Sequence, residues 1–353
     1  MKRGEYGFSL LELMIALAIV ATVIAAATTF FVGVVNQYKV QTRITESNVE
    51  GVIGLELMRK DVESLGFGLP WNNLSAYTER NGVDSSITAL NESPNPPRAV
   101  VSIDNAPATV SLNGSDYLVI RSARVGMSSA AGKWTTLSSG NVKRAWGTPD
   151  EDMGNNDYVV VLAPGTTDAD RNSLVGTSTF SGTGGLVPAE PFQTNIVYGI
   201  DNVPLKRPFN RADYFIADNA AYPTPRQCAP NTGVLVKAAI AHDTDGTATL
   251  YPLLDCAADL QVVYGIDNNA DGQVDTWIDS VTPFTAAQVR SQLVELHVHI
   301  LAQQGKRDDS YTYPGATIFV GSEGVGRNFD VSAYRNYRWK VYNIIVRPKN
   351  LAG

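Results

Sequence analysis

Histidine, cysteine and clustered basic residues are scarce in this chain, and each scarcity excludes something. Three histidines, His242, His297 and His299, stand among 353 residues. His297 and His299, two apart, share one strand face and could begin a zinc site, but no third ligand stands at a telling distance. They are read as structural. No Gly-x-Ser-x-Gly elbow and no phosphate-binding loop occurs. The run Gly321-Ser-Glu-Gly-Val-Gly326 is glycine-rich but opens no strand-to-helix unit, so a plain loop is expected there. An enzyme is not expected. There is no long Lys/Arg run and no basic amphipathic helix, the net charge is −7 and the pI is near 5.1. Nucleic acid is therefore not an expected partner. The interleaved aromatic and basic residues at 334–342 read as a packed terminal strand. With 44% apolar and 18% charged residues the chain is not of disordered composition. Its length allows one large or two modest domains.

Charge is missing altogether from one long stretch, save in one place. Residues 8–35 hold a single charged side chain, Glu12. The stretch is long enough to cross a bilayer, which takes about 20 apolar residues. A carboxylate there costs about 2.5–3.5 kcal/mol on insertion scales. A secretory signal would be shorter and would end at a small-residue cleavage site; a plain anchor leaves Glu12 without a use.

Beyond residue 35 the pattern changes without stopping. Residues 36–65 contain no proline, and Tyr38, Ile44, Val49, Val52, Ile53, Leu57 and Leu65 recur at mostly helical spacing among charged residues. Gly51 and Gly54 weaken this helix by about 1 kcal/mol each relative to Ala. Gly66, Gly68 and Pro70 end it. One helix is expected from near Phe8 to about Leu65, apolar first and amphipathic later. From residue 71 short strands and turns take over. Strands are expected at 99–103, 116–121, 157–162, 194–199, 212–217, 233–240, 260–265, 293–301 and 337–346, and a short helix at 285–292. Residues 164–185 read as a polar loop or an irregular subregion with room for one short strand. The fold class is α+β: one long helix packed on a predominantly antiparallel sheet.

The stretch Gly7-Phe8-Ser9-Leu10-Leu11-Glu12 closely resembles the class III signal of type IV pilins and of type II secretion pseudopilins, with Lys2 and Arg3 as its basic leader. The resemblance implies cleavage between Gly7 and Phe8 by a prepilin peptidase and N-methylation of Phe8. It implies that Glu12, fifth counting from Phe8, pairs with the freed amine of a neighbouring subunit during assembly. The domain plan is then a leader over 1–7, an apolar half-helix over 8–35, an amphipathic half-helix over 36–66, and a β-rich head over 67–353 with up to two subregions. Within the superfamily, GSDYLVIRSA (114–123), RPFNRADYFI (207–216), CAPNTGVLVKA (228–238), LLDCAADLQVVYGIDNNADGQVD (253–275) and RWKVYNIIVRPKN (338–350) are similar to PilW-type minor pilins. That similarity implies a structural subunit that primes pilus assembly, with a place at the tip. Its partners would be other minor and major pilins and an inner-membrane assembly platform. The chain would sit in the inner membrane before assembly and at the cell surface, its head exported, afterwards. A pseudopilin and a calcium-dependent tip adhesin are the alternatives.

Two further features belong to the head. Export would favour a Cys228–Cys256 disulfide. Asp267, Asn269, Asp271 and Asp275 place oxygens at positions 1, 3, 5 and 9 of a loop, Gln273 offers its carbonyl at position 7, and Gly272 makes the turn at position 6. This spacing suits a hard cation, Ca2+. Position 12 is Ile278, not a bidentate Glu, and position 3 is Asn where Asp is usual, so a weak calcium site is expected.

Overall fold

The computed structural model of the chain describes residues 9–72, 74–138, 142–167, 171–179 and 193–351. Two units divide the chain, Met1–Val49 and Glu50–Gly353. Helix α1, Leu10–Glu63, runs through the first and into the second. Its Leu10–Lys39 stretch is apolar and long enough to cross a membrane.

In the second unit the main sheet joins β1 (Val100–Ile103), β2 (Tyr117–Ser122), β8 (Asn210–Ala217), β9 (Gly233–Ile240), β10 (Ala248–Ile266), β12 (Leu293–Gln304) and β15 (Arg338–Val346) in that order. Every pairing in it is antiparallel, and β11 (Thr276–Ile278) adds to β10. A five-stranded antiparallel sheet holds β3 (Trp134–Ser138), β4 (Val142–Lys143), β5 (Tyr158–Ala163), β6 (Ser173–Thr179) and β7 (Asn195–Asp201). A separate hairpin pairs β13 (Thr317–Ser322) with β14 (Val325–Asp330). Helix α2 is Ser85–Thr88, and α3 is Ala286–Gln292, started by a Thr285/Gln288 capping box.

The end of α1 packs on the main sheet. Leu55, Met58, Val62 and Leu65, spaced 3, 4 and 3 apart, form one helix face against Leu118, Ile120, Tyr214, Leu235, Val262, Val298 and Ile344. The expected stripe through Val52 and Ile53 is corrected: both are exposed. The hydrophobic face runs between the charged residues at 56–63, which hid its phase. Gly54 has a second role that propensity alone does not reveal. A Cβ there would lie 1.9 Å from the Leu253 carbonyl oxygen, so glycine lets the helix lie directly on β10.

Strand β2 is buried along its whole length because both its faces are covered. Leu118 and Ile120 face the α1 core, while Tyr117 and Val119 pack with Ile87, Leu90, Val101 and Val110 on the other side. The run 321–326, expected as a loop, is the turn of a hairpin. Glu323 and Gly324 both have positive φ, 53° and 81°, the backbone a tight two-residue turn requires.

Candidate functional site

Ser9 and Glu12 open α1 with reciprocal bonds. The Ser9 N–H donates to Glu12 Oε2 at 3.0 Å, and the Glu12 N–H donates to Ser9 Oγ at 3.4 Å. This is the S-x-x-E capping box, which satisfies helix-start donors that would otherwise face hydrocarbon unpaired. The S-x-x-E pattern stands in the sequence at Ser9 and Glu12, immediately before the apolar run. The carboxylate is thereby held at the extreme start of the helix. Gly7 and Phe8 lie outside the described residues. Along the span the hydroxyls of Thr22, Thr28 and Thr29 donate to the carbonyls of Ile19, Ile24 and Ala26, so they need no water. Leu10, Leu13, Leu17, Val20, Ile24 and Phe31 are all more than half exposed, a surface that calls for lipid or other apolar helices.

The head fixes α1 by charge as well as by packing. Asp61, on the buried side of the helix, accepts from Lys237 Nζ at 2.5 Å and from the Tyr214 hydroxyl. Burial raises the Asp61 carboxyl against the pull of Lys237. On the far face of the sheet a buried lattice ties β2 and β8 to residues 79–92. Arg211 forks onto Asp213 at 2.7 and 3.0 Å and reaches Glu79 at 3.0 Å. Arg121 donates to Glu79 at 2.8 Å, and Tyr117 and Arg80 complete Asp213. Burial would lift the Glu79 carboxyl, but Arg121 and Arg211 outweigh it and hold it below its usual range. Buried arginines are legible in sequence only as isolated charges in apolar strands, and their partners come from a distant loop.

His297 and His299 are buried under the β13–β14 hairpin instead of lying on an open outer face. His297 Nδ1 lies 2.8 Å and His299 Nε2 3.0 Å from Ser322 Oγ. The remaining nitrogens meet Glu295 at 2.7 Å and Asn343 at 2.8 Å. Trp277 packs on His297 with ring centroids 4.5 Å apart. These histidines bind the hairpin to the sheet, the structural role that the sequence suggested. Burial lowers the His299 imidazole. Ser322 came from the glycine-rich run and was not anticipated.

Cys228 and Cys256 are joined by a disulfide. Cys256 stands where β10 slips register against β9, with φ of 55°. The bridge ties this bulge to the segment leading into β9.

The 267–275 loop joins β10 to β11. Its oxygens are held by its own N–H groups. Asp267 accepts from Asn269, Ala270 and Gly272, Asn269 from Asp271, Asp271 from Gln273, and Asp275 from Asn268. Desolvation would raise the Asp267 carboxyl, but these N–H bonds together outweigh it and hold the group below its usual range. Among the described residues no three His, Cys, Asp or Glu side chains stand together as ligands would. The loop as folded is a turn closed by its own side-chain-to-backbone bonds.

Comparisons with known proteins agree with both ends of this description. The family model for the Type IV Pilus-assembly protein W, PilW, matches residues 213–350. The prokaryotic N-terminal methylation motif matches residues 2–28. No curated protein and no solved structure matches the chain. The first match runs from within β8 to just past β15 and includes the disulfide and the histidine face, the second takes in Ser9, Glu12 and most of the apolar stretch of α1, and both support a type IV pilin similar to the PilW family.

Proposed function

We propose that this chain is a minor pilin, a structural subunit that a prepilin peptidase cuts between Gly7 and Phe8 and methylates on Phe8. The apolar half of α1 holds it in the inner membrane as a single span until it joins a filament with other pilins. It primes pilus assembly and takes a place at the tip. The observation that carries this reading is a carboxylate capping the first turn of a long exposed apolar helix. Cleavage after Gly7 would leave a cationic amine one residue before Ser9, whose N–H already meets Glu12. A neighbouring amine within reach would offset the cost of the carboxylate in hydrocarbon and favour one axial register between helices.

The test is incorporation. Glu12→Gln keeps shape and capping oxygen but removes the charge. Expressed with the other pilus components, it should reach the membrane normally yet be at least ten-fold depleted from sheared filaments. Incorporation equal to wild type would refute the role of Glu12. Calcium binding at Asp267, Asn269, Asp271, Gln273 and Asp275 is a separate proposal. The ion would have to draw carboxylate oxygens away from the N–H groups that now hold them, so affinity should lie in the weak extracellular range of about 10⁻⁴–10⁻³ M. Calorimetric titration of Ca2+ into chelator-stripped protein reads this directly, and a flat titration to 10 × that range (~10 mM) would dismiss it.

A further inference from the structure

The chain leaves the main sheet after β2 and re-enters it at β8, which is β2's own neighbour. The five-stranded sheet is thus an insertion between two paired strands, and it lies outside both family matches. A cavity of about 760 Å³ opens between this lobe, the end of α1 and the chain's last strand-free residues, lined among others by Lys60, Trp134, Trp146, Asp150 and Lys349. That volume falls within the range of small-molecule sites.

One wall is a fixed aromatic ladder. The Arg144 guanidinium lies 4.2 Å from the Trp146 ring centroid, and the Trp134 ring lies 4.9 Å from Trp146 on a 59° tilt. The Trp146 indole N–H donates to the Trp134 carbonyl at 2.8 Å, so its orientation is set in advance. Trp134 itself remains 36% exposed. Lys133, also in the lining, is committed to the Asp152 carbonyl at 2.9 Å and to Asp157 at 3.6 Å. Lys60, Asp150 and Lys349 are exposed, and among the described residues their side chains have no partner.

This lining discriminates between ligand chemistries. A wholly apolar ligand would strip water from two ammonium groups and a carboxylate without replacing it. A nucleic acid would meet Asp150 and Glu151 on a chain of net charge −7. A pyranose ring has a flat C–H face for an indole and a rim of hydroxyls that both donate and accept. We infer that this cleft binds a saccharide, with a sugar ring stacked on Trp134 and its hydroxyls bonded to Asp150, Lys60 and Lys349.

The test uses the full, unassembled chain in a detergent without a sugar headgroup, applied to an immobilised array of neutral, amino and acidic oligosaccharides. Because no filament is present, failure here leaves the minor-pilin reading untouched. Wild type should be retained saturably by at least one oligosaccharide. Trp134→Ala should weaken that retention at least ten-fold and Asp150→Asn several-fold, while Trp277→Phe, on the opposite side of the main sheet's contacts, should not change it. Asp150 is exposed and makes no contact needed for folding, so its variant stays informative if Trp134→Ala melts early. Retention of no sugar would overturn the inference, as would undiminished retention of both folded cleft variants. Capture by an immobilised second copy of the chain that is lost in Trp134→Ala would also overturn it, assigning the cleft to a neighbouring subunit.

Discussion

Asp61 gives the most demanding test of how the head grips its helix. The Lys237 ammonium is 1% exposed and lies 2.5 Å from the Asp61 carboxylate, which also accepts the Tyr214 hydroxyl. Asp61→Leu leaves a buried cation and a buried hydroxyl without an acceptor. Breaking a buried pair from one side costs about 3–5 kcal/mol. At roughly 2 °C per kcal/mol for a domain of this size, melting should fall by about 6–10 °C. Adding Lys237→Met removes the orphaned cation and leaves only the Tyr214 hydroxyl unsatisfied, a residual cost of about 1–3 kcal/mol. Adding Tyr214→Phe as well should return the protein close to wild-type stability. That recovery is expected because burial already raises the Asp61 carboxyl against Lys237, so the intact cluster is costly to ionise. Circular-dichroism melts of the four full-length proteins at one pH decide the matter. If the single variant melts within about 2 °C of wild type, or the triple variant is no better than the single, the cluster does not hold the helix as argued.

Two more outcomes follow from the head. Burial pushes the Asp116 carboxyl up to about 7, although the N–H groups of Asn105 and Val262 pull it down. The folded state then binds a proton that the unfolded state has released, so this group's contribution to stability falls as pH rises from about 4 to 7, by an amount on the order of a few kcal/mol. Asp116→Asn should flatten that part of the pH–stability curve, and an unchanged slope would contradict the assignment. Replacing Cys228 and Cys256 together by serine opens a loop with a sequence separation of 28. The chain-entropy estimate is about 3–4 kcal/mol, to be read as a lower denaturation midpoint at unchanged slope; a shift below ~1 kcal/mol would show that the reduced chain is already constrained.

Much of this architecture could be read beforehand, for identifiable reasons. The nine expected strands all appear, because runs such as Tyr117–Ser122 and Gly233–Ile240 are apolar enough to be buried on both faces. Strand β10 was read only from 260 onward. Its first half carries Pro252 and two register shifts, which break the alternation that a sequence displays. Strands β3, β4 and β11 are short, polar or tryptophan-bearing segments that give no clear period, β6 lies in the polar 164–185 region where the sequence marks no bounds for a strand, and glycine masks the β13–β14 hairpin. The helix register was misphased by Val52 and Ile53, exposed apolar residues beside the buried Leu55–Met58–Val62 face. At the helix start the motif is legible in sequence, and the structure adds the reciprocal bonds between Ser9 and Glu12. The lattice around Glu79 and the Ser322 bridge join residues far apart in sequence, and no local pattern encodes such partners.

The central claim concerns what happens before Ser9. Intact-mass spectrometry of the chain purified from membranes that contain a prepilin peptidase tests it most directly. The account predicts a mass lacking residues 1–7 and carrying one added methyl group on a terminal Phe8. A chain that retains Met1 to Gly7, in membranes where other pilins are processed, would contradict it.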